Sequence, residues 1–161
     1  MAVIELKSLA DTIRLGALLG RSLSRYNSPP LFLRGDLGSG KTALTRALVA
    51  AMPGAERAQV ASPSFTICNR YPVAPPVLHC DLYRCREDTP DELLEALDEG
   101  ESQIIIEWAE FFPLALLPES YLDINLIMDN NSRLPVFTAH GNSAADLLAE
   151  ITASWSADNP R

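Results

Sequence analysis

The residues best placed to do chemistry lie in the stretch Gly35 to Thr42, GDLGSGKT, which fills every fixed position of the pattern G-x-x-x-x-G-K-[ST]. Gly35, Gly38 and Gly40 let the backbone bend so that successive N–H groups, those of Asp36, Leu37 and Ser39 among them, turn inward toward phosphate oxygens. The partial positive charge at the start of a following helix adds to that attraction. Lys41 is then placed to reach the β- and γ-phosphates, and the Thr42 hydroxyl to bind Mg²⁺. A plain glycine turn that happens to carry Lys and Thr is the competing explanation. The flanks argue against it, because Leu31 to Leu33 suits a buried strand and Ala43 to Met52 is rich in helix formers. The expected ligand is a nucleoside triphosphate with Mg²⁺.

A phosphate loop does not say what happens to the γ-phosphate. A second group must anchor Mg²⁺, and another must place the attacking nucleophile. Glu107 ends the apolar run QIIIE, where a parallel sheet presents its ligand-binding edge, and could hold Mg²⁺ opposite Thr42. The bland reading is a solvated carboxylate at a strand end. Asp81, in HCDLYR, is a polar position inside an apolar run. It could act as a base or orient water, or it could simply pair with Arg84 or cap a turn. Ser62 to Thr66 (SPSFT) offers hydroxyls from a loop of switch type, a weak signal when taken alone. His79 reads as structural or as support behind the site. Trp108 could contact the nucleotide, meet a partner or pack internally. Arg84, Arg86 and Arg133 stay open between phosphate contacts and surface ion pairs.

These groups need elements to hold them. Val3 to Leu6 suits a short edge strand. Ser8 to about Ser24 reads as a helix capped by Ser8 with Asp11 three residues on, its Leu9, Ile13, Leu15, Leu18, Leu19 and Leu23 turned to a sheet. YNSPP from Tyr26 to Pro30 ends it, and Pro53-Gly54 ends the helix after the phosphate loop. Phe65 to Tyr71 and Val77 to Tyr83 form a hairpin around PVAPP, and symmetry about Ala74 sets Cys68 against Cys80 as two packed thiols. Thr89 is the expected N-cap of a helix running to about Leu97, with Pro90 in its first position and Glu92 closing a capping box. Tyr121 to Met128 and Leu134 to Ala139 are alternating strands about a DNNS turn. Asn142 or Ser143 caps a last helix to about Trp155, and residues 156–161 form a frayed tail.

At 161 residues the chain suits one domain, residues 1–161, able to bury its own core. Mean hydropathy is +0.04 and no apolar run nears the ~20 residues a membrane span needs. No export signal opens the sequence, and the three cysteines include no C-x-x-C pair, so a cytoplasmic protein without a disulfide framework or zinc site is expected. The net charge is −8 and the pI about 4.7. Lys7 and Lys41 are the only lysines, and acidic side chains crowd Glu87 to Glu101. A protein that grips nucleic acid directly needs a basic footprint, so any RNA is expected to be met through a partner.

Four blocks in order, GDLGSGKT at Gly35, SPSFT at Ser62, HCDLYR at His79 and IEW at Ile106, resemble the TsaE (YjeE) family of P-loop ATPases. The first block is shared by many families; the latter two at these distances are far more specific. The likeness covers nearly the whole chain, including Thr12 with Leu15-Gly16, and Arg133. Cys80 stands where the family has an aromatic residue, Cys85 where an apolar one is usual and Ala109 where Pro is frequent. The resemblance implies a three-layer α/β/α P-loop NTPase-like sandwich with a mixed, mainly parallel sheet. It implies ATP and Mg²⁺ as cofactors, Thr42 and Glu107 as metal ligands, Asp81 in support of hydrolysis, and Thr12, Trp108 and Arg133 near the nucleotide. It also implies work on the TsaB–TsaD pair during threonylcarbamoyladenosine modification at position 37 of ANN-decoding tRNAs, with ATP hydrolysis resetting that complex. A small-molecule P-loop kinase is the alternative enzyme, although AEFFPLALLPES after Glu107 holds no lid arginine. A nucleotide-gated binding module with negligible turnover is the other alternative.

Overall fold

Apolar runs in mid-chain become the centre of one seven-stranded sheet. Its strands are β1 (Ala2–Val3), β2 (Leu31–Arg34), β3 (Cys68–Tyr71), β4 (Val77–Asp81), β5 (Gln103–Glu107), β6 (Tyr121–Asp129) and β7 (Ser132–His140). Their order across the sheet is β1-β7-β6-β2-β5-β4-β3. The computed structural model describes residues 1–24, 28–63, 66–86, 88–129 and 132–157. Strands β6, β2, β5 and β4 pair in parallel, while β1–β7, β7–β6 and β4–β3 pair antiparallel. Strands β4 and β5 are buried along their full lengths, the signature of parallel strands covered on both faces.

Four helices cover the sheet: α1 (Leu9–Leu23), α2 (Lys41–Ala50), α3 (Asp91–Glu99) and α4 (Asn142–Ala157). Side-chain alternation along the strands divides the core in two. Leu31, Leu33, Ile105, Ile124 and Phe137 face α1, α2 and α4. Phe32, Leu78, Cys80, Ile104 and Ile106 face α3 and the segment around Phe112. The result is the expected three-layer α/β/α sandwich. Among the described residues, no helix is long and apolar enough to cross a membrane.

Ser8 caps α1 as its sequence indicates: Ser8 Oγ accepts from Asp11 N–H at 3.2 Å, and Asp11 Oδ2 accepts from Lys7 N–H at 2.9 Å. Leu15, Leu18, Leu19 and Leu23 of α1 are buried as expected, but two other residues assigned to that face are not. Leu9 and Ile13 are 68% and 53% exposed, while Thr12, Leu15, Gly16 and Leu19 point inward. The cause is α2. A methyl group on Gly16 would run into Ala47, and one on Gly20 into the Leu48 carbonyl, so α1 turns its small residues to its neighbour.

Three other expectations are corrected. Thr89 does not cap α3: Pro90 itself is the N-cap residue, extended at ψ 132°, with no side-chain cap bond. The second hairpin strand stops at Asp81 and passes into a 3-10 turn over Leu82–Arg84. Cys68 and Cys80 do face each other as the symmetry requires, but they are joined as a disulfide instead of lying as free thiols. Register is the reason. The two are directly opposed, with Cα atoms 4.1 Å apart, and the thiol expectation rested on compartment and not on geometry. The Tyr26-Asn27 portion of the first helix stop, Ser64 and Phe65 of the SPSFT loop, Asn130-Asn131 of the last hairpin turn and tail residues 158–161 lie outside the described residues.

Candidate functional site

The site starts where β2 ends. Gly35, Gly38 and Gly40 all take positive φ, at 126°, 80° and 108°, and carry the chain round into α2. At Gly35 the need for glycine is double, since a side chain there would also strike the Leu126 carbonyl. Lys41 opens α2 and turns back over the loop, its Nζ donating to the Gly35 and Asp36 carbonyls at 2.6 and 3.1 Å. The same ammonium lies 4.0 Å from the centre of the Trp108 ring. Burial lowers the Lys41 pKa below its ordinary 10.5, and the carboxylates of Glu107, Glu110, Asp81 and Asp36 pull it back in part. A desolvated cation folded back over a glycine-rich loop at the start of a helix suits an anion.

Trp108 is held against that cation by an uncommon backbone. Its φ of 56° lies in the left-handed region, which costs a bulky residue roughly 1–3 kcal/mol. The Tyr83 ring also packs against it, centroids 4.8 Å apart.

Carboxylates come from two parallel strands on one side of β2, from β5 beside it and from β4 one strand further out. Asp81 and Glu107 are register partners at the ends of β4 and β5, so both lie at the edge where open α/β sheets bind ligands. Thr42 Oγ1 donates to Glu107 Oε2 at 3.0 Å. Glu107 Oε1 lies 2.8 Å from His79 Nε2, and His79 Nδ1 lies 3.3 Å from the Tyr71 hydroxyl. That hydroxyl donates to the Ala61 carbonyl at 3.0 Å. Asp81 Oδ1 accepts from Tyr83 N–H at 2.9 Å, so the turn-capping role that competed with the chemical one is also present.

These groups surround a cleft of about 340 Å³. Leu37, Gly38, Gly40, Lys41, Thr42, Asp81, Glu107 and Trp108, all singled out in the sequence, line it together with Ser62. Gly35, Asp36 and Ser39 belong to the loop but not to the lining, with Ser39 buried and Asp36 exposed. Arg133 is not in the lining, yet its Nε comes within 3.6 Å of the position a side chain on Gly40 would take, so it backs the loop. Thr12 is the outlier. It is buried on α1 with its hydroxyl 3.5 Å from the Ser8 carbonyl, outside the cleft lining. Arg84, left open in the sequence, does line the cleft, while Arg86 stacks over Tyr83 and Phe111 beside it. Sequence reasoning missed Tyr71 and Tyr83. One signal was there for the neighbouring pair: His79 and Asp81 are two apart on a strand and must share a face.

A mixed α/β/α sandwich with a glycine-rich loop joining a buried strand to a helix, and two carboxylates at the adjoining strand ends, defines the class. Comparison with known sequences narrows it. A sequence profile of the family described as threonylcarbamoyl adenosine biosynthesis protein TsaE matches residues 6–134. The chain is 33% identical over 159 residues to the tRNA threonylcarbamoyladenosine biosynthesis protein TsaE of Nostoc sp., covering 92% of this chain and 93% of that one. The TsaE protein of Bacillus subtilis is 32% identical over 123 residues, 76% of this chain and 77% of its own. Among solved structures, Bacillus subtilis YdiB superposes with a TM-score of 0.75 over 95% of each chain, at 24% identity. This chain belongs to the TsaE family.

Proposed function

We propose that the chain is a Mg²⁺-dependent ATP-binding and ATP-hydrolysing accessory protein of tRNA threonylcarbamoyladenosine biosynthesis, acting on a TsaB–TsaD pair in the cytoplasm. The observation that carries the chemical part is the 3.0 Å contact between Thr42 Oγ1 and Glu107 Oε2 beside Lys41. A hydroxyl and a carboxylate converging at the mouth of a phosphate loop make a hard, all-oxygen donor set, the chemistry Mg²⁺ prefers. Thr42 and Glu107 would hold the metal, which when bound supplies charge neutralisation to the transferring phosphoryl group. The chain's own groups do the rest. The loop N–H groups and Lys41 bind and orient the phosphates. Asp81, the register partner of Glu107, is placed on the same sheet edge to position a water and take its proton. Trp108 and Tyr83 form part of the cleft wall. The acidic surface favours partner-mediated contact with tRNA over direct contact.

The test is steady-state phosphate release from ATP with Mg²⁺, with and without purified TsaB–TsaD, on wild type and Asp81→Ala. Slow release that the pair alters and Asp81→Ala abolishes is expected. Binding without any release under every condition would favour the nucleotide-gated module instead.

A further inference from the structure

The line of hydrogen bonds that begins at Thr42 does not stop at Glu107. It continues through His79 and Tyr71 to the Ala61 carbonyl, next to Ser62, which lines the cleft. Every side chain beyond Thr42 is sealed from solvent: His79 is 0% exposed, and Glu107 and Tyr71 are each 3% exposed. Buried polar groups persist where their partners are fixed, and here each has one. Strand alternation supplies the placement, because Tyr71, His79 and Glu107 all face the α1–α2 side while the Cys68–Cys80 bond lies on the other.

Resting on the Mg²⁺-nucleotide reading above, we infer that His79 is the positioning residue of the metal carboxylate, and that Tyr71 joins it to the loop at Ala61. The Glu107 carboxylate is an acceptor, so the His79 Nε2 facing it donates. That bond occupies Oε1 and leaves Oε2 directed at Thr42, the side on which a cation must sit. On the far side of the ring Nδ1 is then an acceptor, and the one proton of the Tyr71 hydroxyl is shared between Nδ1 at 3.3 Å and the Ala61 carbonyl at 3.0 Å. The backbone of the loop beside Ser62 is therefore braced by the same unit that aims the carboxylate. Catalysis stays with the residues in the cleft; His79 and Tyr71 act through Glu107 and Ala61.

The experiment measures affinity for a fluorescent ADP analogue as a function of Mg²⁺, on full-length wild type, His79→Leu, His79→Gln and His79→Asn. Glutamine carries an amide N–H near the place of Nε2, whereas asparagine ends nearer the place of Nδ1 and falls short of Glu107. Loss of such an outer support typically weakens metal binding about tenfold or more. His79→Leu and His79→Asn are expected to raise the Mg²⁺ half-saturation about tenfold with metal-free affinity unchanged, and His79→Gln to recover most of it. Should His79→Leu fail to fold, the Gln–Asn contrast decides alone. Hydrogen exchange on Tyr71→Phe provides the second readout, with faster exchange expected at the amides around Ala61 and Ser62. Wild-type Mg²⁺ dependence in all three His79 variants would overturn the inference, and unchanged exchange in Tyr71→Phe would remove its loop half. A wild type whose nucleotide affinity ignores Mg²⁺ would overturn the metal reading itself, a different failure.

Discussion

The segment from β2 through the glycine loop into α2 and the β3–β4 hairpin serve one cleft by opposite means. The first is local. Its function follows from residues adjacent in sequence, with Gly35, Gly40 and Lys41 placed by their own backbone angles. The second is relational. His79, Asp81 and Tyr71 gain their roles from partners on other strands, chiefly Glu107 across the β4–β5 pairing and Ala61 in the preceding loop. A local motif survives transfer into many folds, while the hairpin works only in this register. Changes to the first segment should therefore strike ligand binding with the fold intact, and changes to the second should strike geometry.

The largest effect is expected at Lys41. If this desolvated charge pairs with phosphate as proposed, removing it should weaken ATP binding by about 100-fold, read by calorimetry. Lys41→Met should keep a Tm at or above wild type, since the buried ammonium is itself unfavourable to the fold, as its lowered pKa indicates. A fall in Tm as large as the loss of binding would erase the contrast. Next comes α1, which packs against the helix that carries the loop. Gly20→Val sets a side chain against the Leu48 carbonyl, and overpacking of that kind should cost roughly 3 kcal/mol, or about 6–12 °C in Tm.

The hairpin should respond less. Reducing Cys68–Cys80, which closes a loop of sequence separation 12, should remove about 2–3 kcal/mol of stability, seen as a lower denaturant midpoint. ATP affinity should change little, because that bond lies on the face away from His79. Smallest is an alkaline effect at Tyr71. Burial raises its phenol pKa above the ordinary 10.0. The unfolded chain then loses this proton first, so stability from this group is complete below pH 10 and declines as pH rises through the folded value. Denaturation above pH 10 should accordingly be shallower in Tyr71→Phe.

What the sequence made legible divides along the same line. The phosphate loop, the Glu107 strand end, the Asp81 position and the Cys68–Cys80 register could be read because each depends on spacing within one or two neighbouring elements. The exposure of Leu9 and Ile13 on α1 could not, because the limits of the buried face are set by the approach of Gly16 and Gly20 to α2, a contact between segments about thirty residues apart. Thr89 misled for a local reason: Pro90 took an extended angle where a first helical turn was expected. Thr12 carried a role by family likeness alone, and its side chain bonds within its own helix. His79 was legible only as support behind the site until Glu107 stood beside it, and Tyr71 needed the loop at Ala61 in place before it acquired a purpose.

The measurement closest to the central claim is ATP affinity and ATP turnover determined side by side on Asp81→Asn with saturating Mg²⁺. A group that positions water and takes its proton should matter to the transition state and not to binding. Turnover should fall by at least about 100-fold with affinity nearly unchanged. Turnover retained in Asp81→Asn, or lost only in proportion to affinity, would contradict the account and leave Asp81 as the cap of the Leu82–Arg84 turn.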